Sequence, residues 1–528
     1  MEFINMTISE CLDYRTRNHP DKVFLQHNKD AFTWNFVSEL TNKLALFYLK
    51  NGICKGTRVG ILGVNSPSWI FNYLAVVKLG AVAVLINPCS KEREIIEFIK
   101  ASKMECLIYT SGYNGYSYNS MIDKLKKQKD AKNIEAIYVE KNMQEWQKFV
   151  VENLNTECKL PHVNSSDLST ILFTSGTTGQ LKGVKHSHYS LVNNAKSIVE
   201  NLRWTKDDSM CLSVPLFHCF GVTVSLIASL ISGLKIVILE KYSTLAVCNA
   251  IQENKLTIFN GVPSMFLAML NNEERKKYNL SSLKSGIIAG SPIYKDDYLA
   301  ICNMLKNMKI QPSYGLTETA PCVSVAEYES SNEFKALNVG KIIDNVNVKI
   351  TDVNTGKPCK THEIGEICVQ GYNVTIGYIN QDGVEYNALD EEGWLKTGDI
   401  GYIDENGYLH LTCRKKNIII IGGENVSPDE ITELIKHVTK RKEIYVFGMK
   451  TGIMQEEIVA CIEGNEDYEQ LATIEEYLNE NLSKFKIPKH YVFFDKFPRN
   501  STGKLDEKKI KENTLNILKQ HISEKLCI

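Results

Sequence analysis

Charge imbalance is missing from this chain, in which 61 basic residues stand against 62 acidic ones. Without a bulk field of either sign, neither nucleic acid nor an anionic membrane surface is indicated as a partner. Paired cysteines are missing too. The fifteen cysteines are odd in number, scattered, and contain no Cys-x-x-Cys pair. That argues against a disulfide framework or a zinc ribbon and for reduced thiols in a cytosol-like compartment. A long membrane-grade run is also lacking. The most apolar stretch, Gly221 to Leu239, is broken by Gly233, Lys235 and several serines. A buried helix followed by a buried strand is expected there rather than a membrane span. The opening MEFINMTISE has no basic region and no long apolar core, which predicts no signal peptide and a cytoplasmic location. No internal repeat or low-complexity tract stands out.

What is present is length and rhythm. A chain of 528 residues is long enough for two or more domains and a large core. Thr7-x-x-Glu10 reads as a capping box opening a first helix. Phe36, Leu40, Leu44 and Phe47 keep helical spacing, and Gly52 suits the helix end. Strand patterns follow at 58–64, 81–86 and 105–110, with an amphipathic helix at 69–78. This alternation predicts parallel sheets covered by helices. The lysine-rich segment 122–160 reads as a helix, an edge strand and a surface loop.

The stretch Thr174-Ser-Gly-Thr-Thr-Gly-Gln-Leu-Lys-Gly-Val184 follows the apolar run Thr170 to Phe173, expected as a buried strand. Four hydroxyls, three glycines and one lysine in eleven residues suit a loop that wraps an anion. Glycines let backbone N–H groups bend around phosphate oxygens, hydroxyls add donors, and lysine adds a mobile positive charge. The spacing differs from the phosphate loop with Gly-Lys-Ser/Thr after four spacers.

Further strand-to-loop junctions follow. Ser213 to Gly221 places His218 among aromatics, and Asn260 to Pro263 follows a strand at 256–259. Gly286 to Pro292 is a strand ending in small residues, and Pro312 to Thr319 follows a short strand at 309–310. In open α/β sheets, ligands sit at such strand ends, so four of them predict a shared crevice. From 340 to 412, short β-like runs alternate with Gly and Asp turns, predicting a small antiparallel, barrel-like subdomain. Within it Asp399 falls on a glycine-bearing turn, and Cys413 to Asn417 makes a short basic joint. The expected architecture is α/β. A large N-terminal domain, 1–412, holds layered parallel sheets, a hinge spans 413–417, and a small mobile α+β domain covers 418–528.

Five segments in order carry a resemblance: TSGTTGQLKGV, YGLTET, WLKTGD, CRKKNIIIIGGENVSPDEI and PRNSTGKLD. Together they resemble the adenylate-forming enzymes, the class of acyl-CoA synthetases, firefly luciferase and peptide-synthetase adenylation domains, over nearly the whole chain. The resemblance implies ATP, Mg²⁺ and CoA as reactants. A carboxylate attacks the α-phosphate of ATP, pyrophosphate leaves, and the resulting acyl-adenylate passes its acyl group to a thiol. It implies that Thr174, Ser175, Gly176, Thr177, Thr178, Gly179 and Lys182 cradle the β- and γ-phosphates. Tyr314 and Gly315, with Ala289, Gly290 and Ser291, would hold adenine. Thr317 would contact the α-phosphate and Glu318 would hold Mg²⁺, a hard cation that takes few carboxylates. Asp399 and Arg414 would hold the ribose, and Asn425 would belong to the adenylation face. Lys504 would bridge the acyl carboxylate and the α-phosphate, offsetting two negative groups forced together.

Lys504 and an incoming thiol would need the same side of the adenylate. The family solves this by rotating the small domain, and Lys416 matches the hinge position. Gly422 and Gly423 resemble the thiol-entry face, and His218 resembles the gate between acyl pocket and thiol tunnel. Phe220, Val224, Ile287, Gly290, Pro321 and Cys322 would line the acyl pocket, which is apolar and suits a fatty or aryl acid. The segment PLFHCFGVTVS offers no carboxylate, which disfavours an α-amino acid, because a buried ammonium needs a partner. Several positions depart from the family pattern. Leu181 replaces the usual Pro, Cys413 the usual Gly or Asp, Asn417 the usual acid, and Met449-Lys450 the usual Pro-Asp. The leading expectation is an AMP-forming carboxylate–CoA ligase. The alternatives are an enzyme that loads a carrier protein's phosphopantetheine and a non-catalytic nucleotide-binding relative. A luciferase-like oxygenase is a further option that no residue demands.

Overall fold

The computed structural model describes residues 1–153, 159–175, 181–414, 419–421, 424–426, 428–440, 443–451, 455–465, 468–482, 486–500 and 505–526. The chain divides into two compact units. One comprises Met1–Lys349, Cys368–Thr397 and Asp404–His410, and the other Ile350–Ile367, Gly398–Ile403 and Leu411–Ile528.

The larger unit carries two large sheets and a two-stranded ribbon, Gly112–Tyr113 with Tyr116–Ser117. One runs Glu385–Tyr386, Tyr378–Ile379, Leu181–Ser187, Leu168–Ser175, Val82–Ile86, Arg58–Leu62, Cys106–Tyr109, Glu135–Tyr138 in spatial order. Its last five strands are parallel, as the alternation of strands and helices requires. The strand Glu135–Tyr138 lies at the edge, as expected for the lysine-rich segment. The other sheet runs Lys341–Ile342, Cys322–Val325, Lys309–Gly315, Ser285–Ile288, Ile258–Phe259, Ser209–Leu212, Lys235–Ile238, Val23–His27, Asp30–Thr33. The hairpin of its last two strands has no counterpart in the sequence reading. Its partner strand lies far along the chain, with Leu25 opposite Ile236, so no local pattern announces it.

Helix Ile8–Asn18 opens on the expected capping box. The Glu10 amide donates to the Thr7 hydroxyl, and the Thr7 amide to the Glu10 carboxylate at 2.7 Å. Helix Pro67–Lys78 is buried along nearly its whole length. Helix His188–Leu202 touches Leu181–Ser187 of one sheet and Cys322–Val325 of the other. Its buried Asn194 donates to the Cys322 carbonyl at 2.9 Å and accepts from the Cys322 amide at 3.0 Å. The apolar stretch from Gly221 forms a π-helical segment Val222–Ile227, a helix Ala228–Ser232 and a strand Lys235–Ile238. No helix among the described residues is long and apolar enough to cross a membrane.

In the smaller unit, Ile419–Ile421 pairs antiparallel with Glu424–Val426. Ile444–Thr451 pairs antiparallel with Gln455–Glu463, which in turn pairs parallel with His490–Phe494. Helix Pro428–Thr439 starts on Pro428, as the pattern predicted, and buries Ile431 and Ile435 in a core with Ile419, Val426, Ile458 and Leu478. Strands Val346–Thr351, Gly365–Gly371, Leu395–Ile403 and Leu409–Arg414, each divided between the two units, account for the β-rich texture expected between 340 and 412.

Candidate active site

The anion-loop candidate is narrower than the sequence suggests. Strand Leu168–Ser175 extends past Phe173 and returns as Leu181–Ser187, with Lys182 opposite Thr174 and Leu181 opposite Ser175. Residues expected as loop at 174–175 and 181–184 are therefore strand. Gly176, Thr177, Thr178 and Gly179 lie outside the described residues, as does the side chain of Ser175. Lys182 Nζ stands 5.7 Å from the centroid of the Tyr378 ring.

The second expected segment is also extended. Strand Lys309–Gly315 includes Tyr314 and Gly315, which the sequence reading placed in a loop. Pro312 reads as a strand breaker. Here it stands where the strand changes from a parallel partner, Ile288, to an antiparallel one, with Ser313 opposite Val325. Its carbonyl still accepts from the Ala326 amide at 2.9 Å. Gly315 faces Cys322, and a Cβ on it would lie 1.9 Å from the Pro321 carbonyl oxygen. Only glycine fits that approach. A short 3₁₀ turn, Thr317–Thr319, follows.

That turn is held on three sides. The Thr317 carbonyl oxygen lies 2.6 Å from His186 Nε2. A carbonyl only accepts, so Nε2 carries the proton, and the buried Nδ1 has no partner among the described residues. Burial pulls the His186 pKa down to about 4, so the ring is neutral. The Thr317 hydroxyl lies 4.0 Å from Cys219 Sγ, a thiol that burial pushes up to about 12. The Glu318 carbonyl accepts from the Thr375 amide at 2.7 Å, and its carboxylate Oε1 accepts from the Tyr378 hydroxyl at 3.2 Å. Burial first, and then the charge of Glu318, raise the Tyr378 phenol well above its ordinary value, so it remains a donor. None of His186, Thr375 and Tyr378 was found from sequence, because each bonds to a residue far along the chain.

The adenine candidates follow strand Ser285–Ile288. The Ile287 amide donates to Asn260 Oδ1 at 3.0 Å, and the Ala289 amide to the Gly261 carbonyl at 3.3 Å. Gly290, at φ +90, and Ser291 are exposed beyond that anchor. Tyr314 is buried. His218 is exposed, stands at the N-cap position of the short helix Cys219–Gly221 without a side-chain capping bond, and its ring lies 4.3 Å from that of Phe217. The segment leading to it is anchored by Asn65, another residue without a sequence signal. Asn65 donates to the Val214 carbonyl at 3.0 Å and accepts from the Leu216 amide at 2.9 Å.

Of the acyl-pocket candidates, Val224, Ile287 and Cys322 are buried, Phe220 and Pro321 are half-buried, and Gly290 is exposed. A cavity of about 260 Å³ lies elsewhere. Its lining at 275–281 and 304–308 precedes the strands Ser285–Ile288 and Lys309–Gly315 and includes none of the candidate residues.

In the smaller unit Asp399 is buried within strand Leu395–Ile403 rather than on a turn, and the adjacent Gly398 amide donates to Glu366 Oε1 at 3.2 Å. Arg414 ends strand Leu409–Arg414 and Asn425 sits in strand Glu424–Val426, their side chains outside the described ones. Lys416, Gly422, Gly423 and Lys504 lie outside the described residues.

The donor set around Glu318 fits a hard cation. A half-buried carboxylate and a neighbouring threonine hydroxyl are oxygen ligands, and Mg²⁺ uses one or two carboxylates with waters and substrate phosphates. Among the described residues no cluster of three or more His, Cys, Asp or Glu suits a metal cage, and Mg²⁺ with a nucleotide requires none.

Residues 12–379 match the family model described as AMP-binding enzyme, and residues 430–504 match the AMP-binding enzyme C-terminal domain. The mitochondrial medium-chain acyl-CoA ligase of Bos taurus is 30% identical over 557 residues, covering 98% of this chain and 88% of that protein. The o-succinylbenzoate CoA synthetase of Bacillus subtilis, solved with its acyl-adenylate intermediate, is 25% identical with a TM-score of 0.81, covering 96% of this chain and 98% of that one. ATP-bound MatB from Rhodopseudomonas palustris superposes with a TM-score of 0.84 at 24% identity, covering 97% and 100%, a likeness of fold.

Proposed function

The chain belongs to the AMP-binding enzyme family, and from that premise we propose that it is an AMP-forming carboxylate–CoA ligase acting on a fatty or aryl acid. The observation that carries this reading is the bond between His186 and Thr317. It joins the strand behind the phosphate-loop candidate to the Thr317–Glu318 turn, 131 residues away. Two segments of the chemistry expected for ATP thereby meet in one unit.

The acid's carboxylate attacks the α-phosphorus of ATP and pyrophosphate leaves. Displacement of this kind needs in-line positioning and charge neutralisation more than covalent participation by the protein. Lys182 and the hydroxyls and amides of 174–179 hold the leaving pyrophosphate. Thr317 orients the α-phosphate, and Tyr314 with Ala289 to Ser291 and Gly315 holds adenine. Glu318 holds Mg²⁺, which supplies neutralisation of phosphate charge. Asp399 and Arg414 hold the ribose, and Asn425 belongs to the adenylation face. Lys504 spans the two anions that must approach. A thiol then attacks the acyl carbonyl, AMP leaves, and the thioester forms. Rotation of the segment beyond Lys416 clears Lys504 from the path, Gly422 and Gly423 face the entering thiol, and His218 gates its tunnel. The apolar side chains of Val224, Ile287 and Cys322, with Phe220, Gly290 and Pro321, support an alkyl or aryl acid. The described cysteines, none in a disulfide, support a reducing, cytosol-like compartment.

The test is a panel of acids assayed for ATP-dependent pyrophosphate release and thioester formation, with CoA and with a phosphopantetheinylated carrier compared. Acid-dependent release followed by acyl-CoA is the expected result. Thioester on the carrier alone would replace CoA as acceptor, and no acid-dependent release from any acid would overturn the reading.

A further inference from the structure

Tyr378 reaches Glu318 from 60 residues further along the chain. It sits on the two-residue strand Tyr378–Ile379, opposite Val184 on the adjoining strand Leu181–Ser187 that carries Lys182. Its hydroxyl donates to Glu318 Oε1, and three residues earlier the Thr375 amide donates to the Glu318 carbonyl. The Thr375 hydroxyl lies 2.8 Å from the Lys185 carbonyl and 2.9 Å from that of Gly377, which fastens this grip to the strand Leu181–Ser187. The backbone and the carboxylate of Glu318 are thus both held by one short segment. The same phenol ring meets Lys182 Nζ on its face.

A glutamate side chain has several rotatable bonds, and binding a cation through it requires that they be ordered. A phenol-to-carboxylate hydrogen bond is charge-assisted, and at 3.2 Å its bias toward one rotamer adds to the hold of the Thr375 amide on the Glu318 backbone. A carboxylate offers about four lone-pair sites, so a hydrogen bond and a metal bond coexist on it. We propose that Tyr378 is a positioning residue, whose hydroxyl orients the Glu318 carboxylate toward the Mg²⁺ of MgATP. The proposal rests on the reading of Glu318 as the metal carboxylate.

Tyr378→Phe removes the hydroxyl and keeps the ring beside Lys182 and the Tyr386 ring, 5.3 Å away. The probe is Mn²⁺, titrated with a non-hydrolysable ATP analogue on the full chain, with free Mn²⁺ read by electron paramagnetic resonance. Loss of an outer-shell partner is expected to weaken Mn²⁺ binding about tenfold. Metal-free ATP binding should hold, and the Mg²⁺ concentration for half-maximal pyrophosphate release should rise in step, with excess Mg²⁺ recovering the lost rate. Tyr378→His, which retains a donor, should recover part of the Mn²⁺ affinity, and Tyr378→Leu, which removes it, takes the place of the Phe variant if that one does not fold. Glu318→Gln separates the two claims. If it weakens Mn²⁺ binding while Tyr378→Phe does not, the role of Tyr378 is overturned and the metal assignment stands. If neither variant changes Mn²⁺ binding, the assignment of Glu318 falls, and the role of Tyr378 with it. Equal loss of metal-free ATP binding in Tyr378→Phe would mark a structural role and also overturn the proposal.

Discussion

Lys504 carries the heaviest single demand in the proposed chemistry, because an acyl carboxylate and a phosphate must be brought together against their mutual repulsion. Removing one preorganised partner of developing charge typically slows catalysis by about 10²–10³-fold. Lys504→Ala is expected to lower ATP–pyrophosphate exchange by that order while ATP still binds; undiminished exchange would remove the assignment. At the same scale, two buried histidines set a pH limit on stability. Burial holds His186 and His188 at about 4, opposed at His188 by the charge of Asp167. In the unfolded chain an imidazole titrates near 6.5. Between those values the unfolded state binds more protons, so stability falls as pH drops from about 6.5 toward 4 and is unaffected above. The gap amounts to about 3 kcal/mol per histidine. Denaturant midpoints are expected to fall steeply from pH 7 to pH 5, and His188→Gln should flatten that slope. A slope identical to that of the parent chain would contradict the argument.

At the scale of elements, the turn at 316–321 depends on how closely two backbones approach. Strand Lys309–Gly315 and the returning Cys322–Val325 leave no room for a Cβ at Gly315. Gly315→Ala is expected to cost about 1–3 kcal/mol, as overpacking usually does. It should also weaken MgATP binding, because Thr317 and Glu318 ride on the displaced turn. Calorimetric titration with MgATP, beside a denaturation curve, checks both; unchanged affinity would detach the turn from the nucleotide. This element also shows where reading the sequence stops. The glycine was legible as part of YGLTET, but its steric reason was not. The short strand expected at 309–310 runs on through Pro312, where its partner changes from parallel to antiparallel. Likewise the expected loop at 174–184 contracts, because Leu181 to Val184 find backbone partners in Phe173 and its neighbours.

At the scale of the whole molecule, the two compact units each have their own buried cores. The proposed cycle asks one chain to adenylate and then to admit a thiol, which needs a backbone rotation near Lys416. Proline fixes φ and removes a donor. Lys416→Pro is therefore expected to spare pyrophosphate release and cripple thioester formation, read in separate single-turnover assays; equal loss of both would count against the hinge. The sequence by itself determined the class of fold, the order of the motifs, and the residue types that phosphate, cation and carboxylate chemistry require. Those are carried by local composition and spacing, which survive in one dimension. What only the tertiary structure decided is who holds those residues in place. His186 on Thr317, Tyr378 and Thr375 on Glu318, Asn194 on Cys322 and Asn65 on Leu216 are contacts across tens to hundreds of residues. A hydrogen bond between distant strands leaves no periodicity in either of them, so it becomes visible only once packing brings the two together.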